Sequence, residues 1–423
     1  MPPSTMNTEE YAVGLAARAK DAAAQLALLP TAKKDAALRG IAAALRASAD
    51  FLVAQNARDL DSGRKANLSK AVIDRLALSP KRIEAIAAGM EQIAGLGDPV
   101  GEIIKSWRRP SGLLIEKVRV PLGVILIIYE SRPNLTADAA ALSLKSGNAC
   151  ILRGGSEAFH SNVAIASIVA AAIEREGLPP AAVQVVETTE HSFVTRLIKM
   201  PQYINLVIAR GGKGLIKSVV EEARIPVLKH YEGICHTFVD ESADLKMASD
   251  VCFNAKVQRP AVCNAMETML VHEAVAGDFL PGICERLDAA GVELRGDEAS
   301  RALWPGMKAA TEEDWSTEYL DLILSIKVVK DVGEAIGHIA KYGSAHTDAI
   351  VSQDLESVRR FVSEVDSAVV LVNASTRLND GAEFGFGAEI GISTDKLHAR
   401  GPMALEELTS YKYVVYGSGQ LRQ

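Results

Sequence analysis

The feature that most limits the fold is an alternation of apolar, strand-like runs with helical segments of about 12 to 16 residues. The run PLGVILIIYE, at 121–130, is almost continuously apolar, which is typical of a strand buried on both faces. Helix-like ADAAALSLK follows, then strand-like NACILR, a helix at about 161–176, AVQVVET and INLVIARGG. This alternation predicts a parallel sheet in a doubly wound α/β fold, with ligands bound at the carboxyl ends of the strands.

A second α/β domain is predicted because the alternation restarts near residue 230. Its strands would be AMETMLVH, DLILSIKVVK, HTDAIVSQD and SAVVLVNAST. Apolar periodicity before the first strand predicts two helices, at 8–29 and at 35–54. We therefore expect a first domain at 1–229, a second at 230–403 and a C-terminal strand at 404–423. That strand and a Pro-Gly hairpin near 108–118 would form a small oligomerisation arm.

Composition excludes several classes of protein. With 423 residues, 48% hydrophobic and 23% charged, the chain is typical of soluble globular proteins, and we expect that no apolar run reaches the length that a membrane span needs. A net charge of −7 argues against a general nucleic-acid surface. The N-terminus lacks the pattern of a signal peptide, which favours the cytoplasm. The five cysteines are odd in number and unpaired in spacing, so neither disulfides nor a metal site is predicted.

Cys263 is the candidate nucleophile. It lies in QRPAVCNAMET, a turn bounded by Pro260 that precedes an apolar, strand-like segment. A thiolate at such an edge can attack an activated carbonyl, and the neighbouring Arg259 would favour the ionised form. Buried cysteines more often serve as small apolar core residues, which is the alternative for this one.

The chain lacks GxGxxG, the motif that often indicates a dinucleotide site. The turn RGGKG at 210–214 nevertheless follows a strand and opens a helix, so the backbone N–H groups of Gly211 and Gly212 could meet a pyrophosphate. A helix-entry turn that needs glycine only for its geometry is an equally good interpretation.

Three polar residues are further candidates. Asn134 follows a buried strand and could donate its amide to a developing oxyanion, although a turn or a helix cap beside Pro133 is the simpler role. Arg153 ends NACILR and could meet a cofactor's ribose or phosphate, or could be a solvated charge at a strand end. Glu318 could accept hydrogen bonds from ribose hydroxyls, whereas most surface glutamates have no such role.

The segment EFGFGAEIGISTDKLHARGPM, at 383–403, is rich in glycine and carries Lys396, His398 and Arg400. Its lack of regular periodicity predicts a loop, and loops often carry binding residues. We expect it to contact the substrate, with a purely structural connection as the alternative.

Taken together, these motifs resemble one family. The cysteine segment, with VPLGVILIIYESRPN, SGNACILRGG, VIARGGKGLI, LKHYEGICHTFVD, HTDAIV and the glycine-rich segment after residue 380, closely resembles the gamma-glutamyl phosphate reductases, also called glutamate-5-semialdehyde dehydrogenases. The resemblance covers nearly the whole chain. It implies an aldehyde dehydrogenase-like fold, with two doubly wound parallel-sheet domains, a small oligomerisation arm and assembly into a homo-oligomer.

The resemblance also implies a chemistry, in which NADPH reduces an acyl phosphate to an aldehyde in proline biosynthesis. Cys263 matches the family nucleophile, and Asn134 matches the asparagine that stabilises the oxyanion. Arg153 falls where the superfamily usually has a lysine near the adenosine ribose. Gly211 and Gly212 fall at the pyrophosphate turn, with Lys213 beside them, and Glu318 falls at the glutamate that contacts the nicotinamide ribose.

One departure bears on the mechanism. Hydrolytic aldehyde dehydrogenases have a glutamate general base where this chain has His230, in LKHYEG, although Glu232 is close by. A reductase of an acyl phosphate needs no such base, since no water attacks its thioester. The basic residues Arg259, Arg377, Lys396, His398 and Arg400 are the candidates for binding the substrate, and the last four could meet a phosphate dianion.

Two other functions remain open from the sequence. A hydrolytic, NAD-linked aldehyde dehydrogenase is the second choice, and a cofactor-binding protein without turnover is the third. The partners expected are a small-molecule substrate and the glutamate kinase that makes the acyl phosphate. Neither nucleic acid, nor a membrane, nor a metal is expected.

Overall fold

The computed structural model describes residues 8–229 and 231–422, and these form two compact units. The first unit contains the described chain up to Lys229, together with Gly385–Gly391 and the tail from Met403. The second contains the chain from Tyr231 to Phe384 and Ile392–Pro402. The division at residue 229 coincides with the predicted one. By contrast, Gly385–Gly391 and the tail belong to the first unit, whereas the prediction gave 385–391 to the second domain and the tail to neither.

The helices have the following bounds: α1 (Thr8–Leu26), α2 (Thr31–Ala47), α3 (Ala49–Lys65), α4 (Lys70–Leu76), α5 (Pro80–Gly95), α6 (Pro133–Lys145), α7 (Phe159–Arg175), α8 (His191–Leu197), α9 (Lys213–Glu222), α10 (Leu245–Val257), α11 (Glu273–Ala289), α12 (Glu298–Leu303), α13 (Val332–Tyr342) and α14 (Leu355–Glu364). The predicted helix at 35–54 is wrong in its extent. Ser48, at φ −101° and ψ 14°, separates α2 from α3 and so allows the two helices to take different directions.

The strands have the following bounds: β1 (Ile103–Arg108), β2 (Leu114–Pro121), β3 (Val124–Tyr129), β4 (Ala149–Gly154), β5 (Val183–Val185), β6 (Leu206–Arg210), β7 (Val227–Leu228), β8 (Cys235–Val239), β9 (Met266–His272), β10 (Glu293–Gly296), β11 (Lys308–Ala309), β12 (Ile323–Val329), β13 (Thr347–Val351), β14 (Val369–Val372), β15 (Ile392–Ser393), β16 (Gly401–Pro402) and β17 (Thr409–Tyr416).

The first unit is built on a parallel sheet with the strand order β5-β4-β3-β6-β7. Every residue of β3 is buried, as its continuous apolar sequence predicts. The chain starts at β3, moves outward through β4 and β5, and then returns to the other side of β3 with β6. The carboxyl ends of β3 and β6 therefore form the topological switch point, where open α/β sheets bind ligands.

Helix α7 packs on this sheet. The segment Ser156–Arg175 is long and apolar enough to cross a membrane, with a mean hydropathy of 1.3. The statement that no apolar run has this length is therefore wrong. Half of the segment is buried inside the protein, as in a core helix that lies against a sheet.

The second unit is built on a parallel sheet with the order β11-β10-β12-β9-β8-β13-β14. Strand β9 lies in its centre and is buried throughout. Because β8, β9 and β12 run in the same direction, the loops that lead into these three strands end along one edge of the sheet.

The hairpin of β1 and β2 is extended by β17 into an antiparallel sheet of its own. The C-terminal strand pairs with β2 over its whole length, from Thr409 opposite Pro121 to Tyr416 opposite Leu114. Asn148 anchors the approach to this strand, since its amide donates to the carbonyl of Leu408 at 2.8 Å. The predicted tail strand thus forms, and it lies outside the two parallel sheets.

Candidate active site

Cys263 differs from the other cysteines in its exposure. It lies in the turn between α10 and β9 and is partly exposed, whereas the other four cysteines are buried. Burial raises the pKa of Cys150, Cys252 and Cys284 to about 12, so those thiols are inert at neutral pH. Cys263 is therefore the thiol that a substrate can reach.

The turn that carries Cys263 is packed tightly from one side. A Cβ atom on Gly233 would lie only 1.9 Å from the carbonyl oxygen of Cys263, so no larger residue fits there. The same carbonyl accepts a hydrogen bond from the buried thiol of Cys235, at 3.2 Å. These contacts fix the backbone of Cys263, the candidate nucleophile.

Arg377 holds the two ends of this turn. Its Nε donates to Gln258 at 2.8 Å and its Nη1 donates to the side-chain oxygen of Asn264. Burial, and the like charge of Arg259, lower the pKa of Arg377. The negative charge of Cys263 as a thiolate acts in the opposite direction, so Arg377 lies near the thiol. The structure thus brings Arg377 to the candidate nucleophile and Arg259 to Arg377, and the contact of both residues with substrate stays a prediction.

Glu318 lies in the same region of the second unit. Its Oε1 accepts a hydrogen bond from the backbone N–H of Gly233 at 2.8 Å, and burial raises its pKa. Gly233 links Glu318 to Cys263, because it contacts both. The contact of Glu318 with a ribose stays a prediction.

The candidate residues of the second unit lie at one edge of its sheet. Gly233, Cys263 and Glu318 lie in loops that lead into β8, β9 and β12, which is the amino edge. The general rule for open α/β sheets places ligands at the carboxyl edge, and where this unit binds its ligand stays a prediction. Loops that enter three neighbouring strands bring these residues together.

In the first unit, Arg153 is at the carboxyl edge, at the end of β4. It is only 6% exposed, so the alternative of a solvated charge is wrong. Its Nη2 donates to the carbonyl of Thr189 at 3.2 Å, while its buried Nε has no partner among residues 8–229 and 231–422. Burial lowers its pKa, and the nearby carboxylates of Glu130 and Glu157 oppose that effect. An N–H left without an acceptor suits the oxygen of a ligand.

The glycine turn after β6 is already engaged by an acidic side chain. The backbone N–H of Gly212, at the start of α9, donates to Oε2 of Glu130 at 2.8 Å. A Cβ atom on Gly211 would lie 2.6 Å from the same oxygen. The turn thus holds the carboxylate of Glu130. The contact of Gly211 and Gly212 with a pyrophosphate stays a prediction, and a pyrophosphate at this turn would compete with that carboxylate.

Asn134 lies in the first turn of α6 and is exposed. Its amide donates to Oδ2 of Asp138, one helical turn later, at 3.1 Å. Burial raises the pKa of Asp138 to about 6. Because an amide nitrogen has two N–H donors, this bond orients Asn134 and leaves it a second donor for a ligand.

The remaining basic candidates are arranged differently. Lys396 and Arg400 both pair with Asp366, at 2.6 and 2.7 Å, and they lower its pKa to about 2. Any anion that binds them competes with this carboxylate. His398 is exposed, Lys213 is the first residue of α9, and His230 lies outside the described residues.

The sequence did not point to Glu130, Asp138 or Cys235, or to the buried pair of Lys256 and Glu267, whose Nζ and Oε2 atoms are 2.6 Å apart. Glu130 could have been found, because it directly follows a predicted buried strand at the edge where ligands bind. The others are polar or thiol residues inside apolar patterns, and only their tertiary partners distinguish them.

Comparison with known proteins gives a consistent result. A sequence model of the aldehyde dehydrogenase family matches residues 4–302. Gamma-glutamyl phosphate reductase of Geobacter metallireducens is 54% identical over 418 residues, which are 99% of this chain and 100% of that protein. The enzyme of the same name from Caldanaerobacter subterraneus subsp. tengcongensis is 54% identical over 408 residues, covering 96% and 99%.

Solved structures agree with the sequences. The crystal structure of gamma-glutamyl phosphate reductase from Thermotoga maritima is 49% identical, with a TM-score of 0.95, and the match covers 97% of this chain and 100% of that one. An acetylating aldehyde dehydrogenase from Geobacillus thermoglucosidasius shares the fold, with a TM-score of 0.71 at 17% identity and 98% coverage of both chains.

Proposed function

Because the chain belongs to the gamma-glutamyl phosphate reductases of the aldehyde dehydrogenase family, we propose that it makes glutamate 5-semialdehyde from gamma-glutamyl phosphate through a thioester on Cys263. The reaction is a step of proline biosynthesis. The observation that carries the assignment of the nucleophile is that Cys263 is partly exposed, on a turn held by Arg377, while the other four thiols are buried.

The first half of the reaction is acyl transfer. The Cys263 thiolate attacks the acyl carbon, a C–S bond forms, and the bond to the phosphate oxygen breaks, so that phosphate leaves with the electron pair. Arg259 and Arg377 favour the thiolate and attract the anionic substrate. Asn134, oriented by Asp138, and the backbone N–H of Cys263 donate to the oxyanion that develops on the carbonyl.

The second half needs a nicotinamide cofactor, and NADPH is the form we propose. When bound, NADPH would supply the hydride that forms the C–H bond of the aldehyde, while the C–S bond breaks and Cys263 leaves as the thiolate. The buried Nε of Arg153 and the N–H of Gly212 are the donors suited to its phosphates, with Lys213 and Gly211 in the same turn. Glu318 accepts from the hydroxyls of the nicotinamide ribose.

We propose that phosphate, and not water, cleaves the thioester on Cys263. The residue at position 230 is histidine, where hydrolytic aldehyde dehydrogenases carry a glutamate. Without a base to activate water, the thioester persists until hydride reduces it or phosphate cleaves it. Lys396, His398 and Arg400 are proposed to contact the substrate's anionic groups, and Lys396 and Arg400 must then exchange Asp366 for the substrate.

The antiparallel sheet of β1, β2 and β17 supports assembly into a homo-oligomer. Its side chains include Tyr413 and Val415, which are 57% and 53% exposed in the single chain. Apolar side chains exposed along a strand are often covered by another subunit. A cytoplasmic location and transfer of the unstable acyl phosphate from glutamate kinase are part of the same proposal.

The decisive experiment is Cys263→Ala. Loss of a covalent nucleophile should lower kcat by at least about 10⁴-fold while NADPH binding persists. Cys284→Ala, at a buried thiol of α11, is the matched control and should keep nearly full activity. Asn134→Ala should lower kcat by about 10² to 10³-fold. Activity of Cys263→Ala within about tenfold of the parent would contradict the thioester mechanism.

A further inference from the structure

A buried ion pair lies next to the candidate active site in the second unit. Nζ of Lys256, near the end of α10, is 2.6 Å from Oε2 of Glu267, in β9. Both side chains are 0% exposed. Glu267 follows Cys263 by only four positions, so the pair is attached to the same short segment as the nucleophile.

The second carboxylate oxygen of Glu267 holds a loop. Its Oε1 accepts the backbone N–H of Leu320, at 3.2 Å. Leu320 has a φ of +53°, which residues with a side chain rarely adopt. Such a conformation persists when surrounding contacts enforce it, and the bond to Glu267 is a contact that does so.

This loop also carries Glu318, two residues before Leu320. Glu318 accepts the N–H of Gly233 at 2.8 Å, and Gly233 packs against the backbone of Cys263. The contacts therefore form a closed ring, from the Cys263 turn through Glu267, Leu320, Glu318 and Gly233 back to Cys263. A ring of this kind fixes the distance between the nucleophile and Glu318.

Stability alone is a poor explanation for the pair. Replacing a buried ion pair by apolar side chains of similar volume is often neutral or stabilising, because both charges lose their hydration. What an apolar pair cannot do is accept the N–H of Leu320. The carboxylate is therefore best explained by the loop, and Lys256 by the need to neutralise the carboxylate.

We infer that Glu267, neutralised by Lys256, is a positioning residue that holds the 318–320 loop so that Glu318 can bind the nicotinamide ribose. The inference rests on the proposed contact between Glu318 and the cofactor. It adds two residues to the machinery of the enzyme, neither of which touches the substrate or the cofactor.

The test compares two double variants that both lose the ion pair. Lys256→Met with Glu267→Gln keeps an oxygen that can accept from Leu320, whereas Lys256→Met with Glu267→Leu does not. The dissociation constant of NADPH is measured by nicotinamide fluorescence in the absence of substrate, and the alkylation rate of Cys263 by iodoacetamide serves as a check on the nucleophile turn.

We call the variant with Glu267→Gln the Gln pair and the variant with Glu267→Leu the Leu pair. The Gln pair should bind NADPH within about twofold of the parent, and the Leu pair about tenfold more weakly. Cys263 should be alkylated at the same rate in both. Glu318→Ala, which removes the acceptor oxygens, should weaken NADPH binding in the parent. It should have a smaller effect in the Leu pair, since both changes remove the same contact. A second acceptor-free pair, Lys256→Leu with Glu267→Met, keeps the comparison possible if the first does not fold.

Two results are distinguishable. Equal NADPH affinity of the Gln and Leu pairs, with a clear effect of Glu318→Ala, would overturn the positioning role and leave the proposed cofactor contact intact. No effect of Glu318→Ala on NADPH binding in the parent would refute the contact itself, and the inference with it.

Discussion

Glu130→Gln should make the enzyme bind its cofactor more tightly. In the structure the Glu130 carboxylate accepts the N–H of Gly212 at the start of α9, where the cofactor's pyrophosphate is proposed to bind. The carboxylate therefore competes with the cofactor for one donor. Glutamine keeps the length of the side chain and an acceptor oxygen, but it competes without a charge.

The expected size follows from this contact. A hydrogen bond to a charged group contributes about 1.5–3 kcal/mol, against about 0.5–1.5 kcal/mol for a neutral one. The positive end of a helix adds about 0.3–1 kcal/mol for a carboxylate. Because the Glu130 bond is exposed to solvent, we take the lower part of these ranges, about 1–2 kcal/mol in all. The dissociation constant of NADPH should then fall about 5- to 30-fold.

The assay is a fluorescence titration of NADPH at constant ionic strength. The matched control is Glu157→Gln, because Glu157 is also near Arg153 but binds the backbone N–H and hydroxyl of Ser131 and not α9. If both variants gain equal affinity for NADPH, the cause is the loss of one negative charge and not the displacement of the Glu130 carboxylate from Gly212. Unchanged or weaker binding by Glu130→Gln would refute the competition, and with it the use of the Gly212 N–H by the cofactor.

Three further outcomes are expected. Arg153→Ala should lower the ratio of kcat/KM for NADPH to kcat/KM for NADH. An unchanged ratio would mean that another residue contacts the 2′-phosphate, and Lys213 is the next candidate. Oxidation of glutamate semialdehyde should require phosphate, and an equal rate of NADP reduction in phosphate-free buffer, with free glutamate as product, would indicate a hydrolytic enzyme. Asp138→Asn tests a pH effect, because burial raises the pKa of Asp138 from 3.8 to about 6. Between these values the folded protein binds a proton that the unfolded chain has released, so the parent loses stability as the pH rises. The difference in melting temperature, variant minus parent, should therefore increase from pH 4 to pH 6, and a constant difference would contradict the raised pKa.

Much of the fold could be predicted because its determinants are local. The apolar run at β3 can only be a strand buried on both faces, and the regular spacing of helices between such runs requires parallel connections. The extent of single helices was less certain, since the break at Ser48 interrupts a continuous apolar pattern. The glycines after β6 predicted an anion-binding turn, but not the glutamate that fills it.

The candidate site also has features that the sequence predicts and features that only the tertiary structure reveals. The sequence by itself determined the turn that carries Cys263 and the strand after it, because these are neighbours along the chain, and the family resemblance predicted the role of the thiol. Only the tertiary structure decided what surrounds the thiol. Arg377 is 119 positions from Gln258, and Glu130 is 82 positions from Gly212. Such contacts depend on how strands are ordered in a sheet, and side-chain patterns record burial but not the identity of a distant partner. For the same reason the sequence does not predict the role of the Lys256–Glu267 pair. That role depends on the contact between Glu267, in β9, and the backbone N–H of Leu320.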